Sequence, residues 1–312
     1  MLMLMIRYHY RNLRSKHLSE IPDYRQGSWV YVEDPSELEI EQLCEQFELD
    51  RGLIDDALDM DEVPRVEAEA GLSYIYTRFP YTDEKMQITT APMLFVQGPK
   101  LFITVSLKPL PQLEKLLARE DVFTTQQLKL MLQIMNRVTS QYERYLTRIS
   151  RQILATRNRL RVQSIANKDF VEFVTIEDVL NEFLGALLPT NTILRRLLNG
   201  KLLKLYDEDE DLVEDLFLSN EQFIESAKSN IKTITSIREA YSTIAANNLN
   251  QVIRLLTSVT VILTIPTMVA SFYGMNVALP GANNPQAAGL IIIGTLLATA
   301  GLVWLFKKRG WL

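Results

Sequence analysis

The chain has 312 residues, 33 Lys and Arg against 38 Asp and Glu, and a formal net charge of −5. One cysteine excludes an intrachain disulfide, and with two histidines it leaves too few ligands for a histidine/cysteine metal site within one chain. Charge is unevenly placed: residues 255–306 contain no Asp, Glu, Lys or Arg, and nucleic acid is not an expected partner.

The opening MLMLMI is too short for a signal peptide and reads as a strand. Residues 1–110 then mix strand and helix signals. MLMIRYHY, SWVYVE, LSYIYTRFPY, TTAPMLFV and KLFITVSL are rich in aromatic and β-branched residues, with turn chemistry between them. DPSELEIEQLCEQFEL and DRGLIDDAL, the latter capped by Asp50, have helical periodicity. The expectation is an α/β domain with one mixed sheet.

Residues 111–254 read as helical, with stretches over 110–165, 168–199 and from about 205 onward. The last has no stop before the apolar tail, so one helix is expected from about Asp211 to Tyr273, roughly 90 Å long. Its start, DEDEDLVED, has seven carboxylates in nine residues, which also suits a solvated helix N-terminus.

Residues 255–273 and 287–306 are membrane-length apolar runs, joined by an uncharged linker over 274–286. Arg254 precedes the first, and Lys307, Lys308 and Arg309 follow the second. Positive residues stay inside, so both termini are expected in the cytoplasm and the chain in the inner or plasma membrane. Trp304, Phe306 and Trp311 at one end, and Phe272 and Tyr273 at the other, fit aromatic belts.

The first run carries Thr257, Thr260, Thr264, Thr267 and Ser271, spaced 3, 4, 3 and 4 apart. Stepping backward gives Ile253 and Asn250. All seven fall within an arc of roughly 100°, with Pro266 opposite. Such hydroxyls can bond their own i−4 carbonyls, or they can line a wet path. Five on one face, aligned with an asparagine, favour the path. Two spans cannot enclose one, so copies around an axis are required. Gly294, Ala298 and Gly301 share a face of the second run and are expected to pack it, as the outer helix, on the first.

At the end of the first run stands SFYGMNVALPG. Gly274 is expected to take positive φ and turn the chain sharply out of the helix. Asn276 can then be a plain turn residue, or one carboxamide in a ring of oxygen acceptors suited to a hydrated Mg²⁺.

YGMN at the end of the first of two terminal spans, NNLNQVIRLLT before it, and the KKRGWL tail together resemble the CorA family of divalent-metal (Mg²⁺/Co²⁺) transporters. The resemblance covers the whole architecture and is strongest over 247–276 and at the tail. It implies a membrane protein: a homopentameric funnel, with a cytoplasmic α/β domain and a long stalk helix that continues into the pore-lining span. It implies a passive, gated channel, not an enzyme, with Mg²⁺ as cargo and regulatory ligand and no organic cofactor. Gly274, Met275 and Asn276 fall on the selectivity signature, Asn250 on the inner polar ring, and Ile253 and Leu256 on the constriction. Thr264 and Thr267 fall on further pore-facing positions, although Thr264 stands where some members have a bulky apolar residue. Asp215, with Asp83 and its neighbour Glu84, matches carboxylates that bind Mg²⁺ between subunits and hold the pore shut. Lys307, Lys308 and Arg309 match a basic ring at the inner mouth, which a simple topology signal explains equally well. The acidic residue many members carry in the outer loop is absent from VALPGANNPQ, so the mouth would attract cations less strongly. The alternatives are a Zn²⁺ or Co²⁺/Ni²⁺ transporter of the same build, or a membrane-tethered scaffold or enzyme without transport. No P-loop is present to power transport with a nucleotide.

Overall fold

A computed structural model of the chain describes residues 6–15, 17–110, 113–160, 167–200, 205–277 and 285–311. It contains two compact units, Met1–Ile234 and Thr235–Leu312.

The first unit holds a seven-stranded mixed sheet. In chain order the strands are β1 (Ile6–Tyr10), β2 (Ser19–Ile21), β3 (Trp29–Glu33), β4 (Val66–Glu69), β5 (Leu72–Thr82), β6 (Ile88–Gln97) and β7 (Phe102–Ser106). Their spatial order is β2-β1-β3-β7-β6-β5-β4. Only the β3–β7 pair is parallel, with Val30 opposite Ile103 and Val32 opposite Val105. The five apolar runs became β1, β3, β5, β6 and β7; residues 1–5 of the first lie outside the described residues. The sequence reading missed β2 and β4, the two outermost strands. They are three and four residues long and half-exposed or exposed, so neither shows a buried face.

Helices cover both sheet faces, and the central strands WVYV and FITV are accordingly buried throughout. On one face, α1 (Glu37–Phe47) and α2 (Arg51–Asp56) bury Ile40, Leu43 and Ile54 against Val30, Val32, Tyr74, Leu94 and Ile103. Their starts follow the sequence. Ser36 and Glu39 form a capping box, and the Asp50 carboxylate accepts from the Leu53 N–H. On the other face lie α4 (Gln127–Leu160) and α5 (Asn167–Leu198). One oxygen of Glu182 on α5 accepts from the Thr90 N–H at 2.6 Å and from the Thr89 and Thr90 hydroxyls at 2.8 Å. Three donors on one carboxylate oxygen fix how α5 sits on β6.

The expected helix over 110–165 is interrupted. A short α3 (Leu113–Leu117) ends before 118–126, and α4 begins at Gln127. Helical periodicity loses here to a long-range bond. Thr124 is fully buried; its N–H and hydroxyl both donate to the Arg11 carbonyl, and its oxygen accepts the Arg11 N–H. A residue pinned to β1 in this way cannot continue a helix.

The long helix α6 runs from Asp207 to Tyr273 without a break, 67 residues and about 100 Å. It starts four residues earlier than expected, and the acidic run is its first turns. Within the first unit it buries Val213, Leu216, Asn220, Phe223, Ile224, Ala227 and Ile234 at three- and four-residue spacing. From Ser242 to Thr257 no side chain is buried or half-buried, and Ile244, Leu249, Val252, Ile253 and Leu256 all stand exposed. After the linker, α7 (Pro285–Lys308) closes the chain.

His9 lies on β1, 3 % exposed, beside Trp29 and Tyr31, and neither ring nitrogen has a hydrogen-bond partner among the described residues. Burial, helped by the charge of Arg7, pushes its pKa from 6.5 down to about 4. Between those values the unfolded chain binds more protons than the folded one, so stability falls as pH drops. The full loss is about 3 kcal/mol. Thermal unfolding of the full-length protein in detergent should lose stability from pH 7 to 4.5 more steeply in wild type than in His9→Phe; equal slopes would show that His9 is not held neutral.

Candidate functional site

α6 and α7 are long and apolar enough to cross a membrane, and little of that apolar surface is buried in the chain. Each helix shields one face. On α6 the shielded residues are Ser258, Ile262, Ile265, Pro266 and Val269; on α7 they are Ala287, Ile291, Thr295, Thr299, Leu302 and Phe306. The hydroxyl stripe is elsewhere. Thr257, Thr260, Thr264, Thr267 and Ser271 are all exposed, as are Asn250 and Ile253. At 100° per residue the stripe lies on the opposite side of α6 from the shielded face. The stripe is therefore not on the half-buried side of α6.

The expected small-residue seam is corrected. A Cβ built on Gly294 or Gly301 would meet nothing within 4 Å, and Ala298 is exposed. β-branched and bulky residues at steps of three and four supply the shielded face of α7 instead.

The hydroxyls bond locally. Thr260 donates to the Leu256 carbonyl at 2.9 Å, Thr264 to Thr260 at 2.8 Å and Thr267 to Leu263 at 2.8 Å. Ser258 does the same to Arg254, and Thr295 and Thr299 do so on α7. Of the two readings of the stripe, back-bonding is thus observed. It leaves the wet path open, because a hydroxyl that donates once still has lone pairs to offer.

Gly274 is also corrected. It is absent from the positive-φ residues of the chain, and its N–H donates to the Ala270 carbonyl at 2.9 Å, continuing the helix pattern. A Cβ there would stand 3.2 Å from the Ala270 oxygen and 3.6 Å from that of Ser271, so the Ala270 carbonyl would have to give by a few tenths of an ångström. The Met275 N–H follows with a bond to Phe272, and Met275 and Asn276 are exposed beyond the last turn. Residues 278–284, most of the outer-loop departure, lie outside the described residues.

The carboxylates expected to sense the ion do not gather within one chain. Among the described residues no three His, Cys, Asp or Glu side chains form a group able to hold a metal. Asp83 is half-buried at the β5–β6 turn, where its Oδ1 accepts from the Gln87 N–H at 2.7 Å and its N–H donates to the Gln87 carbonyl. That turn holds Met86 at φ 62°. Glu84 is exposed beside it. Asp211, Glu214 and Asp215 are exposed on α6, and none has an ion pair among the described residues.

The basic tail is an ordered helix end. Gly310 takes φ 68°, its N–H donates to Lys307, and the Trp311 N–H donates back to Phe306. The Trp311 ring stacks on Phe306, with centroids 5.5 Å apart, and Lys308 lies over Trp304 at 5.1 Å. This Schellman arrangement holds Lys307, Lys308 and Arg309 in the last turn, where cations complement the helix dipole.

A family model described as CorA-like Mg²⁺ transporter protein matches residues 24–308. The chain belongs to the CorA family. It is a membrane protein of divalent-cation transport. The cobalt/magnesium transport protein CorA of Methanocaldococcus jannaschii is 26 % identical over 297 residues, covering 93 % of this chain and 92 % of that one. The complete structure of the CorA magnesium transporter from the same organism superposes with a TM-score of 0.89 at 22 % identity, covering all of both chains. The full-length CmaX structure gives 0.78 at 18 %, over 98 % of this chain and 97 % of that one. These likenesses establish the CorA fold: an α/β head with a mixed sheet, and a long helix that becomes the first of two apolar helices.

Two features of this CorA chain had no signal in the sequence: the half-buried face of α7 and the helical bonding that continues through Gly274. Gly274→Ala should push the Ala270 carbonyl aside and loosen the final turn. Ion flux in liposomes should fall at least tenfold while the assembled protein is retained; wild-type flux would show that the turn absorbs a methyl.

Proposed function

We propose that the protein is a passive, gated channel for divalent cations, Mg²⁺ first, built as a homopentamer with α6 lining a central axis. The carrying observation is the orientation of the stripe. Five hydroxyls stand exposed on the side of α6 opposite its half-buried residues, and a polar face in a membrane is kept for a bundle interior or water. The exposed apolar residues of α6 between Ile244 and Leu256 support the same assembly, because a lone helix would leave them in water.

In this pentamer Asn276 carboxamides ring the outer mouth with Gly274 and Met275. A hydrated Mg²⁺ suits that ring, since the ion gives up water reluctantly. Asn250 forms the inner polar ring, and Ile253 and Leu256 form the constriction. Both termini lie in the cytoplasm, with Lys307, Lys308 and Arg309 at the inner face. No chemical fuel is required. A divalent ion gains about 4.6 kcal/mol per 100 mV of inside-negative potential, twice the single-charge figure.

Gating follows from repulsion. Asp215 of one subunit faces Asp83 and Glu84 of the next, and like charges at an interface repel unless a cation bridges them. Mg²⁺ bound there stabilises the closed assembly, and its loss lets the constriction wet. The free carboxylates of Asp211, Glu214 and Asp215 support this reading, as does the second oxygen of Asp83, which remains after its turn bond.

Asn276→Ala should abolish Mg²⁺ uptake by proteoliposomes without changing the oligomer's size. Unchanged uptake would remove Asn276 from the pathway. Asp215→Asn should separately weaken closure, so that uptake persists at internal Mg²⁺ concentrations that shut wild type.

A further inference from the structure

Charge in the first unit is sorted along its helices. From Arg144 on α4 to Lys168 at the start of α5 the sequence has six arginines, one lysine and no Asp or Glu, in a chain whose net charge is −5. Arg144, Arg148 and Arg151, spaced 4 and 3 apart, stand exposed on the side of α4 opposite the buried Leu146, Ile149 and Ile153, and Arg157 and Arg159 are exposed beyond them. Glu172 on α5 takes up Arg159 at 3.4 Å. Arg148, Arg151 and Arg157 have no ion pair among the described residues. The packing of α4 therefore does not account for them.

α6 is sorted in the same way. Nine acids lie from Asp207 to Glu225 with no Lys or Arg among them; Lys228, Lys232 and Arg238 follow before the next acid, Glu239. The two helices run in the same sense. Lys129 meets Glu208 at 3.0 Å near their starts, and further along both the Asn230 amide donates to the Ser150 hydroxyl at 2.9 Å. The basic end of the unit is thus the end at which α6 leaves it at Ile234. Leu255, where the apolar run opens, is 21 residues further on and at most about 32 Å away.

We propose that this basic end, centred on Arg148, Arg151 and Arg157, docks on anionic lipid headgroups. A guanidinium offers two parallel N–H groups to phosphate oxygens, and each cation near an anionic leaflet adds to the attraction. Two observations favour a lipid surface over a soluble polyanion. The helix beside the arginines carries a membrane span. Leu154, Val171 and Val174 are exposed among the cations, at 54 %, 66 % and 49 %, and a bond of 2.6 Å from Gln152 to Glu172 ties the two helices together there. Apolar side chains beside cations are the composition of an interfacial surface. The proposal rests on the membrane span and not on the reading of α6 as a pore wall, so the two can fail separately.

The test uses full-length protein in a Cys44→Ser background, with Asn158→Cys carrying the environment-sensitive fluorophore nitrobenzoxadiazole. Nanodiscs are made of phosphatidylcholine alone or of an equal mixture with phosphatidylglycerol. Emission should at least double in the anionic discs, and the rise should vanish in molar salt, which shortens the range of the attraction. The same label at Glu120→Cys, before the start of α4, should respond equally to both lipids. Arg148→Gln, Arg151→Gln and Arg157→Gln combined should abolish the rise at position 158 while the basic tail is retained. Equal emission at position 158 in the two lipids would overturn the proposal. So would a response to an RNA oligonucleotide in detergent with none to phosphatidylglycerol, which would assign the arginines to a soluble polyanion.

Discussion

Hydrocarbon offers no hydrogen bonds, so every polar group placed in it must find a partner in the protein or in water that the protein admits. That constraint shapes the terminal hairpin. Both spans are continuous helices, which satisfies nearly all their backbone groups internally. Threonine and serine are tolerated on both because most of their hydroxyl hydrogens close onto carbonyls one turn back. Pro266 is the exception within α6. It has no N–H to give to the Ile262 carbonyl, and both residues lie on the shielded side, turned away from the stripe.

The same constraint separates what the sequence made legible from what it did not. Helix starts could be read because their chemistry is local: Ser36 with Glu39, and Asp50, each cap the turn that follows them. Membrane spans could be read because length and apolarity are enough. The hydroxyl stripe was visible as spacing alone, and the chain leaves it exposed. By contrast, the break before α4 depends on Thr124 meeting Arg11, 113 residues away, and no window of sequence contains both. The shielded face of α7 went to isoleucine, threonine, leucine and phenylalanine, although glycines offered closer approach. Small residues permit contact, but only shape decides whether it is made. Gly274 shows the same limit: its type suggested a positive φ, whereas the structure continues the helical bonding through it.

α6 joins the two halves of the proposed mechanism in one object. Its N-terminal turns carry Asp211, Glu214 and Asp215, and its C-terminal third carries the proposed constriction and the hydroxyls. Asp215 and Ile253 are 38 residues apart, about 57 Å along an unbroken helix. In the proposed channel the acids and the constriction therefore belong to the same helix, and gating would be a transition of whole packed elements.

The energy required is modest when shared. Moving a gate from 1 % to 99 % closed takes about 5.5 kcal/mol of differential binding. Divided over the five interfaces of the proposed pentamer, that is about 1.1 kcal/mol from each ion. A weak site repeated five times also sets the response more steeply than one tight site, because all five must empty before the assembly relaxes fully. In the proposed pentamer the exposed placement of Asp215 and Glu84 would serve this response, since surface carboxylates that meet only across an interface would release Mg²⁺ more readily than a buried, preorganised cage. The acids that looked like an ordinary helix N-terminus can be both: favourable to the dipole of α6 in one chain, and in need of a cation once the chains assemble.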